Sequence, residues 1–191
     1  KVLRYVGKKY ITARREMGFL VPSKGFEYAT IKGHKCAIIV GDDLSREHDF
    51  DKSVETVISI NARKYGKGTM TYRYEMMRNL AFVESKNLVL VNQVGGSTDI
   101  VYDGTSGALN SRGELVLMMK NFEEDFQIFD TKASARPITI PSTYNDRTRL
   151  VYEAARCGLR DFFRKNGYRK ASIGLSGGID SAVVASIAAD A

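Results

Sequence analysis

The 191-residue chain is 43% hydrophobic and 27% charged, which is typical of an ordinary globular protein and excludes a disordered or collagen-like chain. No apolar run reaches the roughly 18 residues that a membrane-spanning helix needs, so we expect a soluble protein without a membrane partner. The formal net charge of +7 is scattered along the chain and suits a solvated surface as well as a phosphate-rich partner, and nucleic acid binding would rest on charge alone.

Short apolar runs dominate residues 1–130. The best defined are 36–40, 54–60 and 87–91. Continuous runs of this length are typical of strands that are buried on both faces. Between the second and third runs, residues 72–84 have helical spacing, with Met76, Met77, Leu80, Ala81 and Val83 on or near one face. We therefore predict strand, helix, strand, within a buried sheet sandwich that helices flank.

Turn signals follow the third run. Glycine-rich and Asp-Gly turns separate three further short segments with the pattern of strands: 100–102, 106–109 and 114–119. This spacing predicts a meander of hairpins that completes the first domain, which we place at residues 1–130.

The character of the sequence changes near residue 131. Residues 131–146 are mostly polar, contain Pro137 and Pro141 and keep no period, which predicts a linker. Residues 147–166 then carry apolar side chains at helical intervals, and Gly167 supplies a stop.

The last part of the chain reads as the first βα unit of a parallel sheet. We predict a short strand over 171–175, then a glycine-rich turn, then a helix over 182–189. Residues 147–191 are therefore assigned to the start of a second domain. The chain begins at Lys1 and stops in a helical pattern at Ala191, so we expect both ends to be cut.

The glycine-rich turn is the segment Gly174-Leu175-Ser176-Gly177-Gly178-Ile179-Asp180-Ser181. A strand that turns into a helix in this way gathers backbone N–H groups and a helix N-terminus around one point, which favours a phosphate. The glycines allow close approach of the backbone, and the two serine hydroxyls add donors. Asp180 would repel a bare phosphate, so its carboxylate makes sense as a ligand of Mg2+. The alternative is a glycine turn that merely joins a strand to a helix.

This loop resembles that of the N-type ATP pyrophosphatases. Together with the preceding segment, Gly158 to Tyr168, it is similar to the start of the synthetase domain of glutamine-dependent NAD+ synthetases. Independently, Leu90 to Gly96 and Val101 to Ser106 resemble the nitrilase-type glutaminase domain that precedes that synthetase. The resemblance implies a nitrilase-like α-β-β-α sandwich followed by the first βα unit of a Rossmann-like ATP pyrophosphatase domain.

The two cysteines show no CxxC spacing and give no support for a disulfide framework, so a reducing cytoplasm is the simplest compartment. The same resemblance implies a ligase of NAD+ biosynthesis that works as a large homo-oligomer. In that family a Glu, Lys and Cys triad releases ammonia from glutamine. The synthetase then uses ATP and Mg2+ to adenylate nicotinic acid adenine dinucleotide, and ammonia displaces AMP. Its expected partners are thus ATP, that dinucleotide, and glutamine or ammonia.

The glutaminase motif departs from the family pattern at its nucleophile. The matching stretch is Val40-Gly41-Asp42-Asp43-Leu44, so Gly41 stands where the family has cysteine. Cys36 and Cys157 lie in apolar patterns and are expected to be packed side chains. We expect Asp42 and Asp43 to be solvated acids at a strand end.

Two other positions of the glutaminase site have candidates. Lys8, or Lys9 beside it, occupies the position of the catalytic lysine, with a plain surface lysine as the alternative. Arg63 replaces the usual serine near the glutamine pocket, and the family's glutamate would precede Lys1.

These departures leave more than one function open. The first reading is an NAD+ synthetase of which this chain alone is inactive. The alternatives are a non-catalytic pseudo-glutaminase that acts as a scaffold or guides ammonia, and another amidotransferase of the ATP pyrophosphatase class.

Overall fold

The computed structural model describes residues 5–12, 17–131 and 136–191. The strands are β1 (Glu27–Ile31), β2 (His34–Val40), β3 (Thr56–Asn61), β4 (Asn87–Asn92), β5 (Val94–Ser97), β6 (Ile100–Asp103), β7 (Gly107–Leu109) and β8 (Leu115–Met118). The α-helices are α1 (Thr69–Glu84), α2 (Arg147–Asn166) and α3 (Ile179–Asp190). The three predicted apolar runs are confirmed as β2, β3 and β4.

Six strands form one sheet in the order β1-β2-β3-β4-β7-β8. Within it β3 pairs in parallel with β2 and β4, whereas the outer pairings are antiparallel. The parallel pairing of β3 with β4 requires a crossover, which α1 supplies. Strands β5 and β6 form a separate antiparallel hairpin.

Helix α1 covers one face of this sheet. Its buried apolar side chains pack into the main core with the inward side chains of β2, β3, β4 and β7: Met70, Tyr74, Met77, Leu80, Ala81, Ala37, Ile39, Val57, Leu88, Leu90 and Leu109. The prediction that the strands are buried on both faces is wrong on the other side, where Ile60 and Val91 are 48% and 49% exposed. Val83 is also exposed, because it points away from the sheet.

Helix α2 has the bounds that the sequence predicts. Its start is capped by Asp146, whose side chain accepts the backbone N–H of Arg149 at 3.0 Å. Its end is the left-handed Gly167, at φ 72°. The helix packs on the β5–β6 hairpin, where Ala154 and Cys157 are buried together with Phe122.

The predicted linker contacts the sheet in its described part, residues 131 and 136–146. The backbone N–H of Ile138 donates to the carbonyl of Leu115 at 2.8 Å. The Tyr144 hydroxyl donates to the carbonyl of Met119 at 3.2 Å. Residues 132–135 of the predicted linker lie outside the described residues.

The predicted strand over 171–175 is not formed. No described strand pairs with this segment and its side chains are exposed, Leu175 by 67%. A strand exists only through hydrogen bonds to a neighbour, so an apolar pattern by itself does not make one. Helix α3 begins at Ile179, directly after the glycine-rich turn. In the described part of the chain, no helix is long and apolar enough to cross a membrane.

Candidate active site and phosphate loop

Gly41 follows the last residue of β2 and opens a short 3-10 helix, Gly41–Ser45. Its φ of 61° is left-handed, a conformation that glycine adopts without strain. A Cβ built on Gly41 would lie 3.5 Å from both Cε and Nζ of Lys8. The Lys8 side chain is only 13% exposed and lies near Asp42, which a plain surface lysine would not require. The structure brings together the two positions that the resemblance linked.

Asp42 joins these residues to Arg63. Its carboxylate lies 3.5 Å from Nζ of Lys8 and 3.7 Å from Nη2 of Arg63, and it accepts a hydrogen bond from the Thr12 hydroxyl. That hydrogen bond, with the charges of Lys8 and Arg63, holds the pKa of Asp42 below its usual range against the opposing effect of burial. Lys8, Thr12, Gly41, Asp42 and Arg63 are called the Gly41 cluster below.

Asp43 anchors the segment that carries Lys8. It is fully buried and accepts the backbone N–H groups of Lys9 at 3.0 Å, Tyr10 at 2.8 Å and Val40 at 3.3 Å. The prediction of a solvated acid is therefore wrong for Asp43, and Asp42 is itself partly shielded. The 3-10 turn, rather than a continued strand, sets the directions of the two carboxylates.

The Gly41 cluster has no thiol. Cys36 is 5% exposed near the start of β2, and burial, followed by the charge of Glu55, raises the pKa of its thiol. Cys157 is fully buried on α2, and burial again raises its pKa. Both cysteines are packed side chains, as predicted, and neither forms a reactive thiolate readily. The cluster can hold a polar or charged group but contains no cysteine that could attack an amide.

The phosphate loop, residues 174–181, is exposed for most of its length. The hydroxyls of Ser176 and Ser181 lie 3.2 Å apart, and Ser181 donates to the carbonyl of Gly178 at 2.9 Å. Gly177 takes a left-handed φ of 84°. These contacts hold the two hydroxyls together at the first turn of α3.

The loop has backbone N–H donors that can bind a phosphate, and one carboxylate that can bind a metal ion held by that phosphate. No side chain caps α3 at Gly178, and the first N–H groups of a helix have no partner within the helix. Asp180 lies in the first turn. No group of three or more metal-ligating side chains occurs among the described residues. One carboxylate together with phosphate oxygens is nevertheless a usual Mg2+ environment, so the residues fit ATP with Mg2+.

The structure contains a buried ion pair that the sequence did not predict. Arg73 on α1 and Asp103 at the end of β6 are 1% and 2% exposed and form two hydrogen bonds, at 3.1 Å and 2.9 Å. Asn92 and Thr105 also donate to the Asp103 carboxylate. The only available signal was a charged residue next to the apolar face of a predicted helix.

Comparison with known proteins agrees with this arrangement. A family model described as NAD synthase matches residues 151–191. The chain is 32% identical over 172 residues to the glutamine-dependent NAD+ synthetase of Acinetobacter baylyi, covering 87% of this chain and 31% of that protein. The structure of the glutamine-dependent NAD+ synthetase of Acinetobacter baumannii in complex with ADP matches with a TM-score of 0.81 and 27% identity, over 100% of this chain and 38% of that one. A carbon-nitrogen hydrolase from Helicobacter pylori shares the fold over 61% of this chain and 48% of its own, at a TM-score of 0.53 and 19% identity.

The fold and the two site regions first define a class, a nitrilase-like α/β unit followed by a Rossmann-like unit that carries a glycine-rich loop. The relatives place the chain more specifically within that class. Over most of its length the chain is related to the glutamine-dependent NAD+ synthetases, and the resemblance seen in the motifs is confirmed. The chain spans about a third of the length of the curated relatives that it matches.

Proposed function

We propose that the chain is part of a ligase that makes NAD+ by ATP-dependent amidation of nicotinic acid adenine dinucleotide, using free ammonia. The observation that carries this proposal is the phosphate loop, which joins the docked helix α2 to the start of α3 in a chain related to NAD+ synthetases. The proposed domains are a glutaminase-like unit over 1–130, a linker over 131–146 and the start of the synthetase over 147–191.

The loop residues have separate roles in this proposal. The backbone around Gly177 and Gly178 and the hydroxyls of Ser176 and Ser181 bind the pyrophosphate part of ATP. Gly174, Leu175 and Ile179 shape the loop. Asp180 holds Mg2+, which when bound neutralises phosphate charge as the adenylate forms. The remaining contacts to the nucleotide and the dinucleotide are assigned to residues outside this chain.

Gly41 decides the source of the nitrogen. Release of ammonia from glutamine requires a nucleophile, and a glycine in that place has none, although Lys8 is positioned beside it. Arg63 and Asp42 leave the cluster able to hold a polar ligand without hydrolysing it. The ammonia therefore comes from solution or from another protein. By analogy with the family, we also propose a cytoplasmic homo-oligomer.

The test is pyrophosphate release by the full-length protein with ATP, Mg2+, the deamido dinucleotide and ammonium. We expect NAD+ and pyrophosphate in equal amounts. Asp180→Asn should lower the rate by at least about a hundredfold, since it removes a metal ligand, whereas Asp99→Asn, an acid in the β5–β6 turn, should leave it unchanged. A well-folded protein that releases pyrophosphate with a different acceptor would place it in another ATP pyrophosphatase class. A protein that releases none would overturn the proposal.

Gly41 also favours a second candidate function, a pseudo-glutaminase that serves as a scaffold or guides ammonia made elsewhere. In that case the amino-terminal unit would be needed for the use of ammonia but not for its production. Reversing the charge in the cluster with Arg63→Glu distinguishes the two. A role in guiding ammonia predicts a raised KM for ammonium with an unchanged KM for ATP, whereas a cluster without any part in the use of ammonia predicts no change in either.

A further inference from the structure

A buried carboxylate fixes helix α2 to the β5–β6 hairpin. Asp161 is 2% exposed, and its Oδ2 accepts the backbone N–H of Gly96 at 2.7 Å. Its Oδ1 lies 3.2 Å from Nε of Arg160 and 3.4 Å from Nη2 of Arg164. The Lys165 ammonium donates to the carbonyl of the same Gly96. Side chains of α2 therefore bind both polar groups of one glycine, and this contact is called the hairpin latch.

The approach of the helix depends on glycines on both sides. A Cβ on Gly95 would lie 2.6 Å from Oδ2 of Asp161, and a Cβ on Gly96 would lie 3.1 Å from Cα of Gly158. On the helix side, a Cβ on Gly158 would lie 3.0 Å from Cγ2 of Val101. Any side chain at these positions would push the helix away from the hairpin.

The Asp161 carboxylate is suited to this contact. Burial works against its charge, but the Gly96 N–H and the hydrogen bond and charge of Arg160, with the charge of Arg164, hold the pKa of Asp161 below its usual range. Asp161 is thus ionised near neutral pH. An ionised acceptor makes a stronger hydrogen bond to a backbone N–H than a neutral one does.

On one side, the hairpin leads to the Gly41 cluster. Strand β6 pairs with the segment that carries Arg63, because the backbone N–H of Tyr65 donates to the carbonyl of Val101 at 2.7 Å and Lys64 bridges to Tyr102. A displacement of the hairpin would therefore also displace the segment that carries Arg63.

On the other side, helix α2 leads to the phosphate loop. The Tyr152 hydroxyl donates to the Asp190 carboxylate at the end of α3. The two helices also contact each other, and Leu159 and Phe163 of α2 line one cavity together with Ala188 of α3. The loop directly precedes α3, so the position of this helix sets the position of the loop.

We propose that Asp161 is a positioning residue that holds the phosphate loop in a fixed place relative to the Gly41 cluster. The inference rests on the proposed function in one respect, since it takes the loop as the ATP site. The hairpin latch connects the two site regions through packed and hydrogen-bonded elements: the Arg63 segment, the hairpin, α2 and α3.

The test compares Asp161→Ala with Glu153→Ala in the full-length protein. Glu153 is the matched control, because it lies on the same helix and its carboxylate pairs with Arg156, at 2.7 Å, on that helix. Hydrogen exchange followed by mass spectrometry reports the hairpin, residues 94–103, and α3. We expect Asp161→Ala to speed exchange in both regions by about tenfold, as for loss of a hydrogen bond to a charged group, and Glu153→Ala to change neither.

The KM for ATP gives a second readout. It should rise severalfold in Asp161→Ala, with kcat changed less, and Asp161→Asn, which keeps an acceptor for the Gly96 N–H, should fall in between. Faster exchange in the hairpin alone, with α3 and the KM for ATP unchanged, would overturn the inference. The exchange result does not require activity, so an inactive wild-type protein would refute the proposed function and leave this test intact.

A second pair of variants covers the case in which Asp161→Ala does not fold. Gly95→Ala places a methyl group against Asp161, whereas Gly33→Ala has a similarly left-handed φ, 85° against 106°, with nothing within 4 Å. The latch predicts that Gly95→Ala alone speeds exchange in α3. Equal effects of the two variants would show backbone strain and contradict the latch.

Discussion

The ammonium group of Lys8 lies beside the position that a side chain on Gly41 would occupy, with Nζ 3.5 Å from the ideal Cβ position. Lys8 thus lies beside the position at which the family resemblance places the nucleophile, and glycine has no side chain there. The left-handed φ of Gly41 would strain any other residue, whereas glycine adopts it without strain.

Restoring a thiol at this position tests the arrangement. In Gly41→Cys the new sulfur should lie beside the Lys8 ammonium, which lowers the pKa of a thiol. We expect iodoacetamide to alkylate it at neutral pH at least about tenfold faster than Cys36 or Cys157, whose pKa values are raised by burial. Mass spectrometry of the labelled peptides measures the rates. If adding Lys8→Met leaves the rate at the new cysteine unchanged, Lys8 does not act on this position.

The buried acceptor Asp43 should be important for stability. Asp43→Ala leaves the backbone N–H groups of Lys9, Tyr10 and Val40 without this acceptor, so we expect the free energy of unfolding to fall by about 3 kcal/mol. The control is Asp49→Ala, whose side chain is 87% exposed and pairs only loosely with Lys9, and whose effect should stay below about 1 kcal/mol. Chemical denaturation measures both. Similar losses in the two variants would show that Asp43 does not anchor the Lys8 segment.

Replacing both partners of the buried ion pair of Arg73 with Asp103 by apolar residues should destabilise the protein less than the two single replacements would suggest. Removing one partner, in Asp103→Ala, leaves a buried guanidinium uncompensated and should cost about 3–5 kcal/mol of unfolding free energy. The double replacement Arg73→Met with Asp103→Leu should cost less than the sum of the two single changes. The exposed Arg112, paired with Glu114, is the control, and Arg112→Ala should cost less than about 1 kcal/mol. Additive losses in denaturant unfolding would contradict coupling of the pair.

His48 should make stability depend on pH. Its ring stacks on the rings of Phe26 and Phe50, with centroid distances of 5.4 Å and 4.9 Å, and these two rings also contact each other. Nε2 of His48 donates to the carbonyl of Asp43 at 2.8 Å. Burial lowers the pKa of His48, aided by the charge of Lys9 and opposed by Asp43 and Asp49.

The lowered pKa of His48 determines how the stability of the protein changes with pH. Because the folded-state pKa is the lower one, this contribution to stability is complete above about pH 6.5 and is lost as pH falls through the folded-state pKa. Thermal unfolding should therefore show the wild-type Tm falling more steeply than that of His48→Gln over this range. Parallel pH profiles would mean that His48 titrates alike in the folded and unfolded states.

Elements with local sequence signals were predicted well. Helix α2 was predicted with both of its ends, because its apolar side chains recur at helical intervals and the Gly167 stop is a local feature. Strands β2, β3 and β4 were found from their apolar runs. The glycine-rich loop was recognised because its residues are contiguous.

Features that depend on distant parts of the chain were missed. The burial of Asp43 comes from backbone donors at residues 9 and 10, and the pairing of Arg73 comes from Asp103 on another element. The segment 171–175 has a strand pattern but no described partner to pair with. Gly95 and Gly96 allow helix α2 to approach closely, and this requirement depends on Asp161, which is distant in sequence and gives no local pattern.

We propose that the protein makes NAD+ with its phosphate loop while Gly41 prevents it from using glutamine. The most direct measurement supplies the full-length protein with ATP, Mg2+ and the deamido dinucleotide, together with either isotope-labelled ammonium or amide-labelled glutamine. Mass spectrometry of the product then shows where its amide nitrogen came from. We predict labelled NAD+ from ammonium and none from glutamine, and label that arrives from glutamine in the purified protein would contradict the account.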